Sequence, residues 1–283
     1  DIFLAIVNPG DKVLLPEPYF PLYPPDVIIC GGEPTLYPCN FENGFVPTIA
    51  DLEERVDDST VAILYNFPSN PTGGNVDENQ RDDLVEFARS HDLWIITDEV
   101  YDRIVYDTSH VSFLGAGYDK LVMVQSFSKT FAMTGWRIGY LLSPDEGLMN
   151  ELTKMQYYVT ACTNDAMQYA VLEALEKDSD YPEKMCAEFK ERRDLICERL
   201  NAIPGVTCHI PTGAFYVFPK VEIPGMTSEE IALKLLEGGV LCSPGTAFGE
   251  AGEGHLRFAY TIGREDISRG MDRVESVLRD LRG

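Results

Sequence analysis

Residues 120–129 have the sequence Lys-Leu-Val-Met-Val-Gln-Ser-Phe-Ser-Lys, in which an apolar run gives way to hydroxyls and an amine. Apolar, β-branched runs bounded by turn residues are typical of buried strands. Three similar runs precede it, at residues 12–15, 61–65 and 93–97. Residues 79–91, by contrast, have the period of an amphipathic helix. Strands that alternate with helices in this way predict an α/β fold with a mainly parallel sheet.

The pattern changes near residue 178. Residues 180–201 combine spaced apolar residues with many charges, which predicts one long helix. Beyond it lie the elements expected of a smaller α+β domain, namely strand-like runs at 214–218 and 255–260, a helix at 228–237 and a final helix from Glu265. We therefore predict a large domain over residues 1–178 and a small C-terminal domain over residues 179–283, which begins with the long helix.

The composition is that of an acidic globular protein. The chain has 283 residues, 45% of them hydrophobic, and its 23 basic and 46 acidic residues give a net charge of −23. Such a charge repels nucleic acids and anionic membranes, so an anionic ligand must be held by a few local cations. The sequence has no apolar run of membrane-spanning length, no metal-ligand spacing of histidines and no Cys-x-x-Cys among its seven cysteines. We therefore expect a cytoplasmic protein without a metal, nucleic-acid or membrane partner.

Polar residues follow three successive predicted strands at the points where those strands end. They supply an amide, an acid, a phenol, hydroxyls, an amine and a guanidinium: Asn70, Asp98, Tyr101, Ser126, Ser128, Lys129 and Arg137. Each residue alone is ordinary turn, cap or loop chemistry. In an open α/β sheet, however, ligands bind at the edge where the carboxyl ends of the strands meet. The sequence therefore predicts one site at that edge.

The longest motif covers residues 126–140, Ser-Phe-Ser-Lys-Thr-Phe-Ala-Met-Thr-Gly-Trp-Arg-Ile-Gly-Tyr. With Asn-Pro-Thr-Gly at 70–73 and Asp-Glu-Val-Tyr at 98–101, it closely resembles the class I/II aminotransferases, which are fold-type I pyridoxal 5′-phosphate (PLP) enzymes. Further matches are Asn-Pro-Gly-Asp at 8–11, Pro-Glu-Pro-Tyr-Phe at 16–20, Pro-Thr-Gly-Ala-Phe-Tyr at 211–216, Pro-Gly-Thr-Ala-Phe-Gly at 244–249 and Gly-Glu-Gly-His-Leu-Arg at 252–257. The resemblance implies a three-layer large domain with a mainly parallel sheet and a smaller α+β C-terminal domain.

The resemblance assigns the central chemistry to four residues. Lys129 would form the Schiff base with the PLP aldehyde and then move a proton between substrate and cofactor. Its amine must be neutral to attack, and burial beside other cations lowers an ammonium pKa in that direction. Asp98 would pair with the pyridine nitrogen and favour the protonated, electron-withdrawing ring. Asn70 and Tyr101 would hydrogen-bond the ring's 3-oxygen.

Further residues would hold the rest of the cofactor. Phe20, or the adjacent Tyr19, would stack on the face of the PLP ring. Arg137, Ser126 and Ser128 would bind the phosphate as a charge-assisted cluster, which a strongly acidic protein has to build locally.

The resemblance also assigns residues to the substrate. Arg257 would grip the α-carboxylate with its two-pronged guanidinium, which lysine cannot imitate, and Asn70 would contribute at the same place. Alternation puts Leu256, Phe258 and Tyr260 on one face of the predicted strand and Arg257 on the other. That pattern by itself also fits an exposed arginine.

Members of the family begin with large-domain segments that have no counterpart before Asp1, so we expect the chain to lack the N-terminal portion of this domain. The resemblance also implies a homodimer in which the partner contributes to the phosphate site. One dicarboxylate-specific branch carries an arginine downstream of the Schiff-base lysine, and residues 154–178 contain none. An aspartate-specific enzyme of that branch is therefore disfavoured.

We predict a PLP-dependent aminotransferase that moves an amino group from an L-amino acid to a 2-oxo acid. Two alternatives remain open. A carbon–sulfur β-lyase or related synthase would use the same lysine, aspartate and phosphate cluster, whereas a regulatory protein would retain the fold without turnover. The Thr-Gly-Trp-Arg stretch at 134–137 favours transfer, and the intact lysine, aspartate and arginines favour an enzyme.

Overall fold

The computed structural model describes residues 1–177 and 180–283. The first part is built on strands β1 (Lys12–Glu17), β2 (Glu33–Pro38), β3 (Thr60–Asn66), β4 (Trp94–Asp98), β5 (Leu121–Ser126) and β6 (Gly139–Leu142). They form one sheet in the order β2-β1-β3-β4-β5-β6, in which only β6 runs antiparallel to its neighbour. The predicted α/β fold with a mainly parallel sheet is confirmed.

Helices cover both faces of this sheet. They are α1 (Ile2–Ile6), α2 (Tyr23–Ile29), α3 (Ile49–Glu53), α4 (Glu78–Ser90), α5 (Phe127–Thr130), α6 (Glu146–Thr160) and α7 (Asp165–Glu176). Leu14 of β1 faces an apolar cluster that includes Leu84 of α4, whereas Val13 faces another cluster with Val27 of α2 and Leu148 of α6. Because both of their faces are buried, β1, β3, β4 and β5 are largely continuous apolar runs rather than alternating ones. The result is the three-layer arrangement that the resemblance implies.

Helix α4 shows how local chemistry sets the helix ends. Asp77 accepts a hydrogen bond from the Gln80 N–H at 2.9 Å, and the Gln80 side chain accepts from the Asp77 N–H at 3.0 Å. This reciprocal capping satisfies two backbone donors that the first turn leaves free. The predicted helix at 79–91 is confirmed to within one residue at each end. Within the described ranges, no helix has both the length and the apolar character needed to cross a membrane.

The second part contains α8 (Tyr181–Asn201), α9 (Ser228–Glu237), α10 (Arg264–Arg282) and the short strands β7 (Val206–Thr207), β8 (Tyr216–Val217), β9 (Lys220–Val221), β10 (Ser243–Pro244) and β11 (Leu256–Ala259). The strands form a sheet in the order β10-β11-β8 and a β7-β9 pair, as an α+β arrangement requires. Strand β8 is shorter than the predicted run at 214–218, since Ala214 adopts a left-handed φ of 57°. The predicted boundary between residues 178 and 179 lies outside the described residues.

The segment after β4 joins the two parts. Tyr101, Ile104 and Tyr106 pack in the apolar core of the second part, together with Tyr216. The main chain also contacts the second part, since the Tyr106 N–H donates to the Thr212 carbonyl oxygen at 2.9 Å. The end of β4 is therefore held against the second part of the molecule.

Candidate active site

The carboxyl ends of β3 and β4 are tied together by one amide side chain. Asn66, the last residue of β3, lies in register with Asp98, the last residue of β4. Its Nδ2 donates to the Asp98 carbonyl oxygen at 3.0 Å, and its Oδ1 accepts from the Asn70 N–H at 2.9 Å. Asn66 therefore fixes the turn at residues 70–73 beside Asp98, and the Asn70 side chain is buried there.

Asp98 is a half-buried carboxylate with two hydrogen-bond donors. Tyr23 Oη donates to its Oδ2 at 2.7 Å, and the Val100 N–H donates to its Oδ1 at 3.3 Å. Burial raises the pKa of Asp98, while these hydrogen bonds and the positive charge of Lys129 oppose the rise. The charged form is therefore supported by few groups, and a cationic ligand atom would stabilise it further.

The adjacent acid, Glu99, is committed to a different network. It is only 1% exposed, its Oε1 accepts from the Phe113 N–H at 3.0 Å, and its Oε2 lies 2.7 Å from His110 Nε2. Asp98, by contrast, is half-buried, and the charge of Lys129 acts on its pKa.

Lys129 lies in the short helix α5, directly after β5. Ser126 caps this helix by accepting from the Ser128 N–H at 3.1 Å. The Lys129 amine lies 5.6 Å from the ring centroid of Tyr101 and 5.5 Å from that of Phe215. It has no hydrogen bond or ion pair with any residue in the described part of the chain. The amine is thus held between aromatic faces rather than by an acceptor.

Three charged groups act on this amine. Burial lowers the pKa of Lys129, the Asp98 carboxylate opposes that effect, and the positive charges of Arg137 and Arg257 lower the pKa further. The neutral amine is therefore more populated at a given pH than for an exposed lysine. These couplings also show that the structure brings together the four charged residues that the sequence assigns to the site.

Tyr101 supplies a buried phenol close to the lysine. It is 2% exposed, and its Oη lies 3.1 Å from Tyr216 Oη. Burial raises the pKa of Tyr101, and Tyr216 adds to that rise, whereas the charge of Arg257 opposes it. The hydroxyl is therefore a neutral hydrogen-bond donor over the physiological range.

Arg257 is clamped between two rings rather than exposed. Its guanidinium carbon lies 4.6 Å from the ring centroids of both Tyr216 and Phe248. Nη1 donates to Asn70 Oδ1 at 2.9 Å and Nη2 to Ser243 Oγ at 3.4 Å, whereas the buried Nε has no partner among the residues that the structure describes. The cation is thus pre-positioned, with donor capacity left for a ligand.

The candidate phosphate ligands occupy both sides of α5. Ser126 and Ser128 stand at its start, with Ser128 buried and Ser126 half-buried. Arg137 follows the helix, is exposed, and donates from Nη1 to the Thr134 carbonyl oxygen at 2.8 Å. Their joint binding of a phosphate stays a prediction.

Phe20 and Tyr19 have different surroundings. The Phe20 ring meets the ring of Tyr23 edge-on at 5.6 Å, and Tyr23 is bonded to Asp98. The pKa of Tyr19 is raised by burial and then by Glu17 and Glu250. Phe20 is therefore the aromatic residue connected to Asp98, which favours it over Tyr19 for the predicted stacking role.

A cavity of about 520 Å³ opens beside the lysine. Its lining includes Lys129, the rings of Phe189 and Phe215, and Arg192. This volume lies within the range of small-molecule sites. The cavity adjoins Lys129, but Asp98, Tyr101 and Arg257 are not part of its lining.

Four aromatic residues of the site are not predicted from the sequence, namely Tyr23, Phe215, Tyr216 and Phe248. The last three belong to the motifs at 211–216 and 244–249 that carry the resemblance, although the resemblance assigns them no role. Tyr23 has no such signal, because its contact with Asp98 spans 75 positions along the chain.

Comparison with known proteins gives consistent matches over nearly the whole chain. The sequence profile of the family described as "Aminotransferase class I and II" matches residues 2–274. The "Aspartate aminotransferase" of Pyrococcus abyssi is 39% identical over 98% of this chain and 72% of its own length. The "Aromatic-amino-acid aminotransferase 2" of Thermococcus litoralis is 38% identical over the same shares. The crystal structure of an aromatic aminotransferase from Pyrococcus horikoshii superposes with a TM-score of 0.94 and 37% identity, over 99% of this chain and 76% of that one.

The electrostatics of Lys129 predict its reactivity. Its lowered pKa means that the neutral amine appears at lower pH than for Lys12, whose pKa is raised by its hydrogen bond to Asp57 and by the charge of that residue. We expect acetylation of Lys129 by acetic anhydride to reach half its limiting rate at the lower pH of the two. Competitive labelling of the cofactor-free protein with peptide mass spectrometry measures both midpoints. A midpoint for Lys129 at or above that of Lys12 would contradict the electrostatic assignment.

Proposed function

Because this chain belongs to the class I and II aminotransferases, we propose that its sheet-edge site binds PLP and exchanges an amino group between an L-amino acid and a 2-oxo acid. Aminotransferase activity is the function that the relatives share, and enzymes of this family depend on PLP. The observation that carries the site assignment is the Lys129 amine, which is half-buried, lacks an acceptor in the described part of the chain, and has a lowered pKa. Such an amine is available to bond an aldehyde.

The donor set fits PLP group by group. Lys129 offers an amine for the aldehyde, Asp98 a carboxylate for the ring nitrogen, and Tyr101 and Asn70 a phenol and an amide for the 3-oxygen. The hydroxyls and the guanidinium around α5 offer three contacts for the phosphate. In addition, Arg257 Nε is buried and lacks a partner among the described residues, as expected where an anion completes the site.

The reaction requires few groups from the protein. When bound, PLP supplies an aromatic ring that withdraws electrons from the substrate's α-carbon. As a neutral amine, Lys129 Nζ can accept the proton from that carbon. It can then donate the proton again at a later step of the amino-group exchange. Asp98 would stabilise a positive charge at the ring nitrogen, and Tyr101 would support negative charge on the 3-oxygen. Burial of all three residues strengthens these interactions.

Arg257 orients the substrate. Its guanidinium is fixed by two rings and by Asn70, so little side-chain entropy is lost when it binds a carboxylate. The two-pronged geometry then places the α-carbon in one orientation relative to Lys129. This orientation favours transfer at the α-carbon for any L-amino acid, whatever its side chain.

No observation specifically favours either alternative, the regulatory protein or the carbon–sulfur β-lyase. A non-catalytic regulator would have no use for a lysine that has a lowered pKa and no partner among the described residues, beside a pre-positioned arginine. A carbon–sulfur lyase would use the same groups, but the relatives of known activity described above are named as aminotransferases.

We further propose that the protein acts as a homodimer. Tyr157 and Tyr158 of α6, and Tyr169 and Leu172 of α7, are large apolar or aromatic residues that are 49–79% exposed, and concentrations of such residues mark interaction surfaces. A second copy covering these residues would bury them. Light scattering should give twice the mass of one chain, and a single-chain mass at micromolar concentration would contradict the dimer.

Replacement of Lys129 by alanine tests the assignment directly. In Lys129→Ala, we expect no covalent PLP after borohydride reduction, and amino transfer to 2-oxoglutarate reduced at least about 10²-fold, since the general base is lost. Peptide mass mapping and an amino-acid donor panel measure the two effects. Lys154→Ala, which removes an exposed lysine paired with Glu151, serves as the control. Covalent PLP that persists at another lysine in Lys129→Ala would show that the attachment site is wrong.

Conservative replacement of Arg257 separates substrate binding from cofactor binding. In Arg257→Lys, the two-pronged contact becomes a single point charge, so we expect KM for the amino donor to rise about tenfold or more. The Kd for PLP should change little. Steady-state kinetics and fluorescence titration measure the two constants, and Arg264→Lys, at an exposed ion pair with Glu188, is the control. Equal losses in both constants would mean that Arg257 serves the cofactor instead.

A further inference from the structure

Tyr23 forms a hydrogen bond with Asp98, the acid of the candidate site. We propose that Tyr23 is a positioning residue, whose hydroxyl holds Asp98 ionised and oriented toward the cofactor's ring nitrogen. This role deepens the proposed function and rests on it. The contact is direct, since Tyr23 Oη donates to Asp98 Oδ2 at 2.7 Å.

The packing of Tyr23 fixes its hydroxyl in place. Tyr23 begins helix α2, is 7% exposed, and belongs to the apolar cluster that also contains Val13 and Leu15 of β1. Phe20 meets its ring edge-on at 5.6 Å. A phenol held in this way keeps its direction without losing further entropy when a ligand binds. Its donor can therefore constrain the Asp98 carboxylate.

The donor role of Tyr23 also follows from electrostatics. Burial raises the pKa of Tyr23 well above its ordinary value, and the Asp98 carboxylate raises it further, so the phenol keeps its proton. For Asp98, burial raises the pKa, and the Tyr23 hydrogen bond is the first group to oppose this, followed by the Val100 N–H and the charge of Lys129. The charge of Glu99 acts in the opposite direction. Among the described residues, Tyr23 is thus the strongest of the groups that oppose the rise in the pKa of Asp98.

The balance between burial and these hydrogen bonds would determine whether a proton shared with the cofactor resides on Asp98 or on the ring nitrogen. When a carboxylate faces a nitrogen base, the proton resides on the stronger base of the two. By making Asp98 the weaker base, Tyr23 leaves the proton on the ring nitrogen, where it increases electron withdrawal. Without the phenol, Asp98 would take up the proton more readily and its attraction for a cationic ring would weaken.

Tyr23→Phe removes the hydroxyl and keeps the ring, and Tyr37→Phe is its matched control. Tyr37 is another buried tyrosine of the same part, and its hydroxyl donates at 2.7 Å to the main-chain oxygen of Leu64 rather than to an acid. The first measurement is the ¹³C titration of aspartate carboxyls in the cofactor-free protein, with the Asp98 signal assigned from Asp98→Asn. We expect the Asp98 midpoint to move to higher pH in Tyr23→Phe and to stay unchanged in Tyr37→Phe.

The second measurement is the Kd for PLP in a double-mutant cycle. We expect Tyr23→Phe to weaken PLP binding by about tenfold when Asp98 is present, which is the size expected for a charge-assisted hydrogen bond. In the Asp98→Asn background, the same substitution should have little effect, because the acid through which Tyr23 acts is gone. A merely structural tyrosine would weaken binding equally in both backgrounds.

The outcomes separate this inference from the function on which it rests. If Asp98→Asn leaves the Kd for PLP unchanged, the proposed contact of Asp98 with the cofactor fails. If Asp98→Asn weakens binding but Tyr23→Phe acts equally in both backgrounds, or leaves the Asp98 midpoint where it was, the role of Tyr23 is overturned. Thermal unfolding of all variants shows whether any change in Kd follows from loss of folded protein, in which case the carboxyl titration of the folded fraction decides.

Discussion

The burial of Asp98 and Lys129 at one sheet edge is the constraint on which the site depends. Burial alone favours the neutral form of both groups, since it raises the pKa of the acid and lowers that of the amine. Each group partly offsets this effect in the other through its charge. The pair can exist at this place because β4 and β5 are parallel neighbours, so that the residues after both strands emerge on the same side.

Much of this arrangement follows from the sequence because the sheet core leaves few alternatives. The buried strands β3, β4 and β5 are continuous apolar runs, and the polar residues after them necessarily converge. Strand β6 is not predicted from the sequence, because its residues are mostly exposed and its pattern lacks a buried run. Strand β2 is not predicted either, since Tyr37 is its only buried residue. Edge strands of this kind are defined by their neighbours more than by their own residues.

The residues of the site also differ in whether the local sequence pattern predicts their position. The place of Asp98 and Lys129 at the sheet edge can be predicted, because Asp98 directly follows one apolar run and Lys129 lies four residues after the end of another. The face on which Arg257 lies can also be predicted, since Leu256 and Phe258 on either side of it are 1% and 4% exposed. What the pattern leaves open is whether that face is solvent or site, because this depends on Tyr216 and Phe248, which enclose the guanidinium from other segments. Likewise, nothing local to Tyr23 indicates that it meets an acid 75 positions away.

Because the chain is strongly acidic, the binding of an anionic ligand depends on where its few local cations lie. A net charge of −23 repels a phosphate-bearing ligand at long range, so the attraction must come from a few groups at the site itself. In the proposed site Arg137 and Arg257 would supply it, and the same two charges lower the pKa of Lys129. Cations that would attract an anionic cofactor and a substrate carboxylate therefore also favour the neutral amine that must react with the cofactor. Once those anions are bound, their negative charge would weaken this effect, and the amine would become more basic when it has a proton to accept.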